Sequence, residues 1–181
     1  MAHISVADNI PGIRSLVMFR PDTGKSLYEL AEVLLRGESP LTSAERELIA
    51  AYVSRRNDCV FCSCSHAAAS RAHYGDEQGV VDAVLSDPST APISEKLKAL
   101  LVIADKTRER GNLVAPEHIA AARAAGATDR DIHDAVLIAA SFSMFNRYVD
   151  GLDTLTPTDP EAYAEMGKRM ATIGYVPPKP A

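Results

Sequence analysis

The sequence predicts an all-α bundle, and three observations carry that prediction. Apolar residues recur at spacings of three and four nearly everywhere. Strand-like alternation of apolar and polar residues is absent. Gly, Pro and capping residues fall between the periodic stretches, where helices must start and stop.

Leu27, Leu30, Ala31, Leu34 and Leu35 repeat at helical spacing, which predicts a helix over about 26–36 ended by Gly37. Pro40 follows, and Thr42 with Glu45 forms a capping box for a helix running to about Arg56. Its apolar face is Leu48, Ile49, Tyr52 and Val53. Asn57 and Asp58 break it, and a third helix starts near Cys59 and runs to Tyr74, closed by Gly75. It is Ala-rich (Ala67, Ala68, Ala69, Ala72), which suits close helix packing. A short helix is expected over 77–86. Ser94 caps a long one to about Arg110, with Leu97, Leu100, Leu101 and Ala104 on one face. Pro116 opens the next, which ends at Gly126. Thr128 and Asp131 begin the last core helix, carrying Ile132, Val136, Leu137, Ala140, Phe145 and Val149. A weak helix over 160–172 precedes a Pro-rich end, Val176 to Ala181.

The 181 residues suffice for one domain with a real core, here expected to span 1–181 with an N-terminal arm (1–25) and a C-terminal tail (157–181). With 46% apolar and 24% charged residues the composition is that of a soluble globular chain, and the net charge of −5 argues against nucleic acid, which calls for a basic stripe. The start lacks a basic region followed by an apolar run, and no stretch approaches the roughly 18 apolar residues of a membrane span. A cytoplasmic protein with no membrane partner is therefore expected.

All three cysteines lie between residues 59 and 64, which is not how a disulfide framework staples distant segments. Cys59 and Cys62 form a C-x-x-C at a helix start. Residues three apart on a helix are neighbours, so the sulfurs can meet and close a small-ring disulfide. A helix N-terminus also favours thiolate, the reactive form, and such sites lower a Cys pKa from about 8.5 to roughly 3.5–7.5. His66, four residues after Cys62 on the same face, can serve it as a base or as a neighbouring cation. A tight turn at Asn57–Asp58 would fold the preceding helix back, and Glu47, about three turns from that break, could then orient His66 and hold its proton. Glu45 and Arg46 point elsewhere. Cys59, at the very start of the helix, is expected nearer solvent than Cys62. Zinc suits the pattern poorly, because its ligands usually come from separate segments, and His73 is about 10 Å further along the helix at ~1.5 Å per residue. Cys64, about 200° round the helix from Cys62 at ~100° per residue, is expected to pack as a small hydrophobe. His73 and His133 read as structural. Arg147 and Asp150 read as a surface pair or as part of an oligomer interface. No metal or cofactor is expected.

The spacing Glu47, eleven residues, Cys59, two residues, Cys62, three residues, His66 resembles the alkylhydroperoxidase D-like branch of the carboxymuconolactone decarboxylase superfamily. The flanks are similar to its peroxidase-related proteins: Pro40-Leu41-Thr42 before Glu45-Arg46-Glu47-Leu48-Ile49-Ala50, and Asn146-Arg147-Tyr148-Val149-Asp150-Gly151-Leu152. The likeness covers about residues 10–155. It implies an AhpD-like multi-helix bundle, usually a trimer or hexamer, and a peroxide-reducing or disulfide-exchanging activity, with a hydroperoxide as substrate and a dithiol as reductant. It also implies the roles: Cys62 as the nucleophile that becomes a sulfenic acid, Cys59 as proton donor and resolving thiol, and His66 with Glu47 as proton relay. In the best-studied branch a His stands just before the second Cys. Here that position is Phe61, which removes a proton-shuttling group and makes the site more apolar. Two other functions compete: a lactone decarboxylase, in which a disulfide-forming pair would have no task, and a non-catalytic redox sensor.

Overall fold

The computed structural model describes residues 2–175. Among them are nine α-helices and no strand, so the all-α expectation holds: α1 (Ile13–Phe19), α2 (Pro21–Arg36), α3 (Ser43–Arg56), α4 (Val60–Tyr74), α5 (Gly79–Ser86), α6 (Glu95–Glu109), α7 (Pro116–Ala124), α8 (Asp129–Gly151) and α9 (Pro160–Ile173). The Pro-rich end, 176–181, lies outside the described residues.

α3 is the axis of the bundle. Its capping box is in place, with Thr42 Oγ1 accepting from the Glu45 N–H and Glu45 accepting from the Thr42 N–H. Every residue from Arg46 to Ser54 is buried, because α2, α4, α5, α6 and α8 surround the helix. The single apolar face read from the sequence is therefore too narrow. A central helix must satisfy its polar side chains internally. Arg46 does so by donating to the carbonyls of Leu34 (3.0 Å) and Gly37 (2.8 Å), groups left over at the end of α2. Ser54 accepts from Asn146 Nδ2 at 2.9 Å, tying α3 to α8. Leu48, Ile49, Leu100, Leu101, Ile138 and Phe142 fill the core around it, each 0–1% exposed.

Two helix starts differ from expectation. α2 begins at Pro21 rather than near 26, because proline suits the first helical position, where its missing N–H costs nothing. α1 lies in the stretch read as an arm. It is short and has no side-chain cap, so little in the sequence announces it. It packs on α2 and α8, and α9 packs along α4, so both terminal segments cover their own chain. The approach of α9 is close enough to need Gly167, where a Cβ would lie 2.5 Å from the Ala68 carbonyl carbon. No helix among the described residues is long and apolar enough to cross a membrane.

Candidate active site

The site begins with the turn between α3 and α4. Asp58 adopts a left-handed conformation (φ 59°), and the Cys59 N–H returns to the Ser54 carbonyl at 3.0 Å. This tight reversal runs α4 back along α3 and places Cys59 at the N-cap of α4 and Cys62 in its first turn. Glu47 and His66, nineteen residues apart, meet across the two helices: His66 Nδ1 lies 2.7 Å from Glu47 Oε2.

Glu47 is fully buried. Burial pushes its carboxyl up, but the His66 charge and hydrogen bond, the Arg36 guanidinium and the Tyr175 hydroxyl outweigh that and hold it below its usual value. An ionised carboxylate can only accept hydrogen bonds, so Nδ1 of His66 carries the proton of that contact and Nε2 is left for proton transfer. The imidazole is wedged in place, edge-on to the Phe142 ring at 4.5 Å between centroids and stacked with Tyr175 at 6.1 Å.

The two remaining partners of Glu47 were not legible beforehand. Arg36 Nη2 donates to Glu47 Oε1 at 2.5 Å, and the Tyr175 hydroxyl donates to the same oxygen at 2.6 Å. Arg36 is the last residue of α2, where a basic side chain reads simply as a partner of the helix dipole. Tyr175 follows Gly174 after α9, and no periodicity marks it.

The three cysteines are free thiols. Cys59 and Cys62 sit in a small apolar cluster with Phe61, Val149 and Tyr163, to which Ile13 of α1 and Met166 of α9 add cover. Phe61, which stands where the resembled family has its His, packs against Gly12 so closely that a Cβ there would overlap the ring, and it tilts against Tyr163 at 6.3 Å. Two expectations are corrected. Cys59 is not nearer solvent: it is 0% exposed and Cys62 4%, because the terminal segments close over the turn. Nor is the Cys59 thiol acidified by the helix start. Its hydrogen bond with Cys62, then burial, push it far up, and the Asp150 carboxylate beside it acts in the same direction. Asp150 is thus engaged with Cys59 rather than with Arg147, which donates to the Ser143 carbonyl at 2.8 Å.

Cys64 is half-buried and opens onto a groove of about 1060 Å³ between α4, α5 and α9, with Arg71 and Tyr163 among its lining. Burial pushes its thiol up. His73 carries a ring nitrogen, Nε2, that is buried and without a hydrogen-bond partner. His133 Nδ1 donates to the Asp134 carboxylate, 2.9 Å away on α8. Among the described residues no three His, Cys, Asp or Glu side chains converge as a metal site.

The chain is similar to known proteins in both sequence and fold. The carboxymuconolactone decarboxylase family model matches residues 21–106, a span that contains Glu47, Cys59, Cys62 and His66. No curated protein sequence matches. An uncharacterized peroxidase-related protein of Ralstonia eutropha JMP134, described as an alkylhydroperoxidase AhpD core, superimposes with a TM-score of 0.76 at 27% identity, covering 88% of this chain and 82% of that one. A second uncharacterized peroxidase-related protein, from Silicibacter sp. TM1040, gives 0.76 at 26% identity over 86% of this chain and 79% of its own. A protein of unknown function from Agrobacterium tumefaciens shares the fold, with a TM-score of 0.70 at 19% identity, over 88% of this chain and 100% of that one. Together, the family match and these peroxidase-related structures, with the spaced Glu–Cys–Cys–His set, support the chain's resemblance to the AhpD-like, peroxidase-related branch of the carboxymuconolactone decarboxylase superfamily.

Proposed function

We propose that the protein is a thiol-dependent peroxidase and disulfide oxidoreductase, a cytoplasmic homo-oligomer (trimer or hexamer) that reduces hydroperoxides at the expense of a dithiol. The observation that carries this reading is the Glu47–His66 contact, a buried carboxylate–imidazole pair placed one helical turn beyond Cys62. A carboxylate that fixes the imidazole tautomer is the arrangement that lets a histidine move protons for a neighbouring nucleophile.

The Cys62 proton passes to His66. The thiolate attacks the outer oxygen of the hydroperoxide, an S–O bond forms, the O–O bond breaks, and the departing alkoxide takes the proton from His66 and leaves as the alcohol. Cys62 is now a sulfenic acid. Cys59 then attacks the Cys62 sulfur, the S–O bond breaks, water leaves with the Cys59 proton, and a disulfide is closed. An external dithiol is oxidised to its own disulfide as it restores both thiols. The strongly raised Cys59 thiol supports its part: it keeps its proton beside a Cys62 thiolate and gives it up only when the leaving hydroxide needs one.

Cys62→Ser is expected to abolish peroxide consumption, and Cys59→Ser to trap a sulfenic acid or a mixed disulfide on Cys62, both read by intact mass after a substoichiometric peroxide pulse. Full multiple turnover by Cys59→Ser would remove Cys59 from the resolving role. A sulfenic acid formed at Cys59 in Cys62→Ser at the native rate would reverse the two roles.

A further inference from the structure

Glu47 has two oxygens and the structure divides their work. Oε2 meets His66 Nδ1 alone, at 2.7 Å. Oε1 receives Arg36 Nη2 at 2.5 Å and the Tyr175 hydroxyl at 2.6 Å. We propose that Arg36 and Tyr175 are positioning residues of the proton relay, a clamp that saturates one oxygen of Glu47 so that the other is reserved, ionised and correctly aimed, for the His66 imidazole. The proposal rests on the peroxidase reading for its consequence in turnover, although the clamp itself is a property of the fold.

The clamp is held independently of Glu47. The Tyr175 N–H donates to Glu32 Oε2 at 2.6 Å, so the chain after α9 is pinned to α2 by its backbone. The same Arg36 nitrogen that reaches Glu47 also donates to the Met170 carbonyl at 3.0 Å, near the end of α9. The Arg36 guanidinium lies 5.2 Å from the centroid of the Tyr175 ring, a cation–π arrangement that stacks the two donors together. Removing the Tyr175 hydroxyl would therefore leave its ring, its backbone bond and its stacking on His66 intact.

The hydroxyl has a second relation: it stands 3.3 Å from His66 Nδ1. It holds a single proton, and that proton is committed to Glu47, so towards Nδ1 it presents only a lone pair. It therefore donates nothing to Nδ1, whose own proton goes to the nearer Glu47 oxygen, and its bulk closes that side of the imidazole. Both clamp residues act on Glu47 in the same sense, since cation and hydroxyl alike favour the ionised carboxylate in a buried setting.

The test uses the full chain, with Tyr175→Phe as the main variant and Arg36→Gln as the second. Two readouts are needed. The first is the titration of the Glu47 carboxyl followed by carbon-13 NMR on labelled protein, which requires no turnover. The second is the pH profile of peroxide consumption with a dithiol donor. In Tyr175→Phe the Glu47 titration is expected at higher pH than in the wild type, with kcat lowered about tenfold on the acid side, recovering as pH rises, and KM unchanged. Arg36→Gln is expected to move both further in the same direction. A folded Tyr175→Phe whose Glu47 titrates where the wild type's does overturns the clamp, and so does the same result in Arg36→Gln. A wild-type chain that consumes no peroxide while the Glu47 titration still moves in the variants keeps the clamp and sinks the peroxidase reading.

Discussion

Glu47 is the residue on which burial, charge and chemistry converge, and it makes the firmest stability prediction. Its carboxylate is fully buried with Arg36 and His66 as partners. Glu47→Ala would leave both buried against nothing, and breaking such a pair from one side costs about 3–5 kcal/mol, so a large fall in the urea midpoint is expected. The pH dependence follows from the lowered carboxyl. Its stabilising contribution is complete above the ordinary carboxylate value of about 4.3 and is lost as pH falls through the lower folded value. Acid unfolding below that ordinary value is therefore expected to flatten in Glu47→Gln, and an unchanged acid limb would contradict the assignment. The sequence placed Glu47 and His66 by spacing alone, because both sit on helices joined by a short turn. It could not place Arg36 or Tyr175, which are 11 and 128 residues from Glu47 and meet it only through helix packing.

At the scale of elements, caps and breakers were the legible features. The Thr42–Glu45 and Thr128–Asp131 boxes and the Ser94 cap all form as the residue types require. Thr42→Ala is expected to lower stability by about 1 kcal/mol, measured as a shift in denaturant midpoint with an unchanged slope. The contact of α9 with α4 makes a sharper prediction. A Cβ at Gly167 would lie 2.5 Å from backbone of α4, which has no flexible side chain to yield. Gly167→Ala is therefore expected to push α9 outward and cost roughly 1–3 kcal/mol. Because Tyr163 and Met166 of that helix cover the thiol pair, the same variant should also speed alkylation of Cys62 by iodoacetamide. Equal alkylation rates in variant and wild type would show that α9 does not control access. α1 escaped sequence reading because seven residues capped by a glycine carry too little pattern to distinguish a helix from an extended arm.

For the whole molecule, assembly is the open variable. Within the described residues, α1 and α9 of the two terminal segments are packed on their own chain. What remains exposed is a scatter of large apolar side chains, among them Met18, Phe19, Val33, Val60 and Met144, each at least 44% exposed. The proposed trimer or hexamer rests on the family resemblance, and light scattering at micromolar concentration is expected to return a mass near a multiple of three chains; a monomer would refute it. The sequence by itself determined the all-α class, most helix limits and the register of Glu47, Cys59, Cys62 and His66, because helical period, caps and a short turn are local properties with fixed geometry. Only the tertiary structure decided how wet the site is and what tunes it. Cys59 looked exposed as the first residue of a helix, but α1 and α9 arrive from the two ends of the chain and bury it. Arg36 and Tyr175 looked like ordinary surface and tail residues until the packing of α2, α3 and the segment after α9 set them on one carboxylate oxygen. Burial and long-range charge depend on which elements end up beside one another, and no local pattern encodes that.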